Sequence, residues 1–379
     1  MKQILIVTIL LSACNAFSQE VHHTEIMREA DLLINNYQFD QALSLMNKAE
    51  DSLNVELLQR KGYCYSRLGN YTDAIIAYEG IRKTDSLNRE ALHQLGQLYS
   101  RNDQYDHSRA CYMKLIDLDS TNSFYYRQYA SVAVKANDII NGIAYYLQTV
   151  KLNPRDMEAV QQLATILIEA EAYTFADSML NHVLAIAENP QLRLLLARAN
   201  LGEEKYAEVI ENLGKLLTKT ATTAVSARLM GISYFQLDQY EKVIPCMEFL
   251  LRNGMKADWI FYYLGVSYQQ LNNPAQGIEF LNLAIEESIS DNINTYYTQL
   301  AMAYEEIKDF KNAIRYYKAA YESSKSDILL YHLARNYDVY YKDKTPARIY
   351  YKKYLNSDDT IQIAKEYSRH RLTVLSDFR

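Results

Sequence analysis

Cysteine, proline and glycine are scarce in this chain of 379 residues, which holds four, five and eleven of them. Beyond Cys14 only Cys64, Cys111 and Cys246 remain, an odd number and too few for a disulfide framework. They read as small buried apolar side chains. So little proline and glycine excludes collagen-like and low-complexity sequence and leaves room for many uninterrupted helices. Also missing are a Gly-rich phosphate loop and the C-x-x-C, H-E-x-x-H and G-x-S-x-G motifs. The seven histidines, at 22, 23, 93, 107, 182, 332 and 370, are scattered and lack partners at metal-ligand spacing. Glu203-Glu204 and Glu286-Glu287 are chain neighbours that point different ways, whereas an acid–base pair must face one space. The sequence thus predicts no enzyme, cofactor or metal, and a net charge of -6 disfavours a nucleic-acid partner.

What is present is repetition. Small residues stand at Ala30, Gly62, Gly96, Ala130, Ala164, Ala197, Gly231, Gly265, Ala301 and Ala334, a step of about 34. Twelve residues after each come Ala42, Ala74, Ser108, Gly142, Ala176, Val209, Val243, Gly277 and Ala313, with Ala347 at thirteen. Helical apolar spacing fills the intervals, broken by turn signals such as Leu68-Gly69-Asn70, so each unit reads as helix, turn, helix. The small residues mark helix crossings at close range, which is why Gly is accepted there despite its helix penalty of roughly 1 kcal/mol. Most of the 34 tyrosines obey the same period: Tyr65, Tyr99, Tyr234, Tyr268, Tyr304 and Tyr337 share one place, and Tyr78, Tyr112, Tyr146, Tyr317 and Tyr351 another. Periodicity assigns them to packing between helices rather than to a ligand.

The pairs Leu95-Gly96, Leu163-Ala164, Leu264-Gly265, Leu300-Ala301 and Leu333-Ala334, the tyrosines three residues further on and the second-helix alanines together resemble the tetratricopeptide repeat family over residues 23–356. The resemblance implies an all-α solenoid superhelix of about ten helix-turn-helix repeats, with 357–379 as a capping helix. Asn200 departs from the pattern where a first-helix Tyr is expected, as do Val209 and Val243 where a small residue is expected.

The ends carry other signals. Lys2 precedes Ile4–Leu11, eight residues that suit a secretory leader but cannot span a bilayer. Cleavage after Ser18 would leave a soluble exported chain. Alternatively Leu11-Ser12-Ala13-Cys14 is a lipobox that would leave 1–13 as the leader and Cys14 lipidated, tethering the protein to a membrane, the outer one included. Either reading places the chain in the periplasm or cell envelope. At the other end, Tyr341–Arg379 holds nine Lys+Arg against five Asp+Glu, which reads as a solvated cap or a contact for an anionic partner. Pro245 falls inside a predicted second helix and is expected to bend it, whereas Pro274 and Pro346, behind Asn273 and Thr345, are expected to start helices.

In the family the first helices line a groove that accepts a peptide or partner helix. By register that groove here offers Arg127, Gln161, Arg198, Arg228, Phe235, Trp259, Tyr262, Val266 and Arg335, polar toward the N-terminus and aromatic with arginine toward the C-terminus. The family's carboxylate-clamp pattern of Lys with Asn and Lys with Arg is absent. These features predict a non-enzymatic protein-binding scaffold or assembly factor of the bacterial envelope. The alternative is a glycan-binding outer-membrane lipoprotein of a nutrient-uptake system, disfavoured because the repeats tile without the long insertions that would build a sugar site.

Overall fold

The computed structural model describes residues 24–48, 54–217, 222–288 and 292–376. The leader, Cys14, His22 and His23 lie outside them. Among the described residues every regular element is an α-helix. The first unit begins with α1 (24–35), α2 (Phe39–Met46), α3 (Val55–Arg67) and α4 (Tyr71–Thr84). It continues through α5 (Arg89–Arg101), α6 (Tyr105–Leu118), α7 (Ser123–Lys135), α8 (Ile139–Leu152) and α9 (Met157–Glu169). A second unit starts at Ala170, except that Ala185–Ala187 group with the first. It holds α10 (Tyr173–Ile186), α11 (Pro190–Gly202), α12 (Tyr206–Leu217), α13 (Ala224–Gln236), α14 (Tyr240–Arg252) and α15 (Asp258–Gln270). It ends with α16 (Pro274–Glu287), α17 (Ile293–Glu306), α18 (Phe310–Ser324), α19 (Ile328–Tyr340), α20 (Thr345–Leu355) and α21 (Gln362–Ser376). Within each unit helices pack against their chain neighbours, so each core is spread along a row rather than gathered at a centre. This is an all-α helical-repeat fold.

Local chemistry sets the helix ends. Asn54, Asn88, Asn122 and Asn189 precede α3, α5, α7 and α11, and each side-chain oxygen accepts N–H groups of the first turn. Asn70, Asp138, Asn273 and Asp309 do the same for α4, α8, α16 and α18. Such caps contribute about 1 kcal/mol each. The turn from first to second helix repeats one conformation: Tyr37, Gly69, Asp103, Asn137, Glu171, Glu204, Asp238, Asn272 and Lys308 all have φ between 55° and 78°. Only one of these nine left-handed positions is glycine. The four-residue connection from Tyr341 to Lys344 lacks a left-handed residue, and there Asp343 accepts the Thr345 N–H at 2.9 Å. Thr345 is therefore the first residue of α20 rather than its cap. Pro274 stands in the first turn as expected, and α14 continues through Pro245 to Arg252.

The small first-helix residues face large ones about sixteen positions on. A Cβ on Gly62 would fall 2.5 Å from the Tyr78 ring, on Gly96 2.8 Å from Tyr112, and on Gly265 2.7 Å from Leu281. Between α15 and α16 the backbones themselves come close, since a Cβ on Gly277 would meet the Gly265 carbonyl oxygen at 2.9 Å. Tyr112, Tyr317 and Tyr351 are fully buried, in keeping with a packing role for that tyrosine series. Val266, placed by register on the open face, is instead 5% exposed and belongs to the core with Leu281 and Leu300.

Candidate interaction face

First helices of neighbouring repeats touch one another, α11 with α13 and α15 with α17, so their outward residues form a shared face in the second unit. On it lies a connected row of rings. The Arg228 guanidinium of α13 sits over the Trp259 ring of α15 at 5.2 Å. Trp259 meets Tyr263 edge-on at 6.1 Å, and Tyr263 meets Phe235 of α13 at 4.6 Å. Phe235 and Tyr262 lie 6.3 Å apart, and Tyr262 continues the row to Tyr296 of α17 at 5.2 Å. Tyr296 is anchored by its hydroxyl, which donates to Asp258 Oδ2 at 3.0 Å. Burial pushes the Tyr262 and Tyr263 phenols up from their ordinary range, with Arg228 opposing the shift at Tyr263. Both therefore stay protonated donors near neutral pH. The row joins flat half-buried ring surface to an exposed cation, the composition that gives interface hot spots.

Arg228, Phe235, Trp259 and Tyr262 thus come together, as register places them. Tyr263 was missed, although it is the hub of the row and stands one helical turn after Trp259. The other face residues have different surroundings. Arg127 is drawn into ion pairs with Asp156 at 3.2 Å and with Glu158 and covers Phe124, leaving its side chain 18% exposed. Gln161 on α9 and Arg198 on α11 are exposed. Arg335 lies over Tyr331 and 3.5 Å from Glu305.

Two polar clusters replace expected apolar packing. Asn200 is 2% exposed; its amide donates to Asp177 at 2.7 Å and its oxygen accepts from Asn212 at 3.0 Å. Arg193 extends this chain through Asn212 to Glu188. Further on, Asp338 is buried and accepts two bonds from Arg371 of α21 at 2.8 and 3.1 Å, with the Tyr351 hydroxyl at 3.4 Å. Here the last helix is pinned to the row by a bidentate ion pair.

Cys64, Cys111 and Cys246 are free, and burial raises each thiol to about 11. Among the described residues no group of three His, Cys, Asp or Glu is placed to hold a metal, and no helix is long and apolar enough to cross a membrane.

Repeating helix pairs with a continuous outward face define the helical-repeat interaction scaffolds. The tetratricopeptide repeat model matches residues 55–80, 90–122 and 295–327, which coincide with α3–α4, α5–α6 and α17–α18. These three stretches are tetratricopeptide repeats, and that repeat typically serves as a non-catalytic scaffold for protein partners. No curated protein matches the chain. Among solved structures it is similar to a tetratricopeptide repeat protein from Parabacteroides merdae, at 15% identity over 66% of this chain and 98% of that one, with a TM-score of 0.44. It is also similar to a chain of Naa15/Naa10 bound to HypK, at 13% identity over 88% and 58%, TM-score 0.46. MamA from Desulfovibrio magneticus gives 15% identity over 43% and 94%, TM-score 0.40.

Proposed function

We propose that the protein is an exported scaffold of the bacterial cell envelope that captures a segment of a partner protein on its first-helix face, with Arg228, Trp259, Tyr263 and Phe235 as the main contact. The observation that carries this reading is the ring row itself: half-buried aromatics of α13 and α15, backed by the buried Tyr296 of α17, with a cation stacked at one end. A surface held rigid by packing orders little on binding and so loses little entropy. Export is supported by Lys2 and the apolar run behind it, and the two leader readings differ only in whether Cys14 tethers the protein. Arg198 and Gln161, both exposed, are candidates to extend the contact; Arg127 is better assigned to holding α7 against the start of α9.

The test is affinity capture from envelope extract with the wild type and with Arg228→Ala/Trp259→Ala, retained material being identified by mass spectrometry. Tyr262 is left intact because it packs against the core beside Phe261. A discrete protein retained by the wild type and lost from the variant is the expected outcome, with affinity reduced at least tenfold. Equal retention by both would remove the ring row from the contact, and retained polysaccharide without protein would replace the scaffold reading with the glycan-binding one.

A further inference from the structure

Arg60, Arg82, Arg109 and Arg127 of the first unit each meet a carboxylate: Asp31, Glu79, Asp106 with Asp138, and Asp156 with Glu158. Arg101 and Lys135 differ. Both are exposed and neither forms an ion pair among the described residues. They end the first helices α5 and α7 and line one cleft of about 170 Å³, together with Gln97, Ser100, Gln128 and Ser131 over Tyr112 and Val132. No carboxylate lines it.

The Gln97 amide pairs with the His93 ring at 3.1 Å and Ser131 bonds to Tyr146, so the donors left open are the Arg101 guanidinium, the Lys135 ammonium, the Gln128 amide and the Ser100 hydroxyl, supplied from α5 and α7. Each cation stands in the last turn of its helix, where the C-terminal end carries roughly half a negative charge. A net positive charge on the order of one therefore remains, backed by neutral donors. A second cleft on the same side, of about 390 Å³, makes the contrast: its walls include Asp31 and Glu90, and its one arginine, Arg60, is tied to Asp31 by two hydrogen bonds at 2.6 and 2.9 Å. That cleft repels anions, and the one between α5 and α7 attracts them.

We propose that the α5–α7 cleft binds a small tetrahedral oxyanion, a phosphate or a phosphomonoester group. A carboxylate presents two oxygens on one side and would leave one wall unanswered. A phosphate presents oxygens in three dimensions, as donors converging from two helices require. The inference uses only α5 and α7 and does not depend on the ring row of the second unit.

The full chain is titrated with inorganic phosphate at constant ionic strength by isothermal titration calorimetry, with acetate in parallel. Saturable phosphate binding in the millimolar range or tighter is expected, with acetate at least fivefold weaker. Arg101→Gln and Lys135→Gln, both exposed and so harmless to folding by circular dichroism, are each expected to weaken phosphate about tenfold. Gln128→Ala removes a donor without touching charge and is expected to weaken it about threefold, while Lys151→Gln, exposed on α8, leaves it unchanged. No saturable binding, equal binding in all variants, or acetate matching phosphate would overturn the assignment.

Discussion

At the scale of single residues the repeat is a match of volumes. Glycine at 62 and 96 leaves space that the Tyr78 and Tyr112 rings fill, so Gly62→Ala drives a methyl into a packed ring and is expected to destabilise by about 1–3 kcal/mol. Gly277→Ala is expected to cost more, because the group it meets is the Gly265 carbonyl and the helices themselves must separate. Chemical denaturation of the pair checks the order; an equal or smaller loss for Gly277→Ala would show that α15 and α16 yield easily. His332 brings a pH dependence. Its ring stacks on Tyr317 at 5.1 Å, its Nδ1 is buried without a partner, and burial lowers its pKa, with Glu305 opposing the shift and Arg335 adding to it. The folded-state pKa lies below the unfolded value, so below about pH 6.5 the unfolded chain binds a proton that the folded one refuses. Stability is then full above that pH and falls as pH drops through the folded-state value. Melting temperatures measured from pH 7 to pH 5 should decline less steeply in His332→Phe than in the wild type. Parallel curves would remove His332 from the acid response. The thiols at about 11 are expected to react with a disulfide reagent at pH 8 far more slowly than a free cysteine; Cys64 and Cys111 are buried and only unfolding should expose them, whereas Cys246, read from the sequence as buried, is partly exposed.

At the scale of elements, the left-handed turn was only partly legible. Leu68-Gly69-Asn70 announces its turn, and Asn137 and Asn272 are residues that tolerate a positive φ, but nothing in Glu204 or Lys308 foretells one. There the geometry is imposed by packing of the flanking helices, and the local preference is overruled. Lys308→Gly is accordingly expected to stabilise by about 0.5–1 kcal/mol, the relief of left-handed strain less the extra entropy of glycine in the unfolded chain. No change in the denaturation midpoint would mean that the turn carries no strain. The polar clusters lay beyond the sequence for a different reason: Asn200 and Asp177 are 23 positions apart, and Asp338 and Arg371 are 33 apart, separations at which no local pattern acts. Register did bring Arg228, Phe235, Trp259 and Tyr262 to one face, yet it put Val266 beside them and passed over Tyr263. Four residues make slightly more than one turn, so a face inferred from spacing alone blurs at its edges.

At the largest scale, each unit is a row of helices that touch mainly their chain neighbours, which implies stability summed over adjacent interfaces within the unit rather than held by one centre. Loss at an end should then stay near that end. Arg371→Ala leaves the Asp338 carboxylate, 5% exposed, with Lys344 at 3.8 Å and the Tyr351 hydroxyl, and is expected to loosen α21 by about 2–3 kcal/mol. Hydrogen exchange should show protection falling in α21, then in α19 and α20, while α11 and α12 keep theirs. A uniform fall across the second unit would instead reveal one cooperative block. Such locality also separates a contact surface from the interior behind it, since a change at Trp259 disturbs few interfaces.

Both members of each volume match, Gly62 with Tyr78, Gly96 with Tyr112 and Gly265 with Leu281, lie inside the same repeat. A stretch of coding sequence spanning one such pair carries its lock and key together, so duplicating or deleting it in frame demands no compensating change at that crossing. The length of the array can therefore drift between lineages faster than the pairs themselves, and comparison of such genes should find whole-repeat gains and losses more often than an isolated change at either partner.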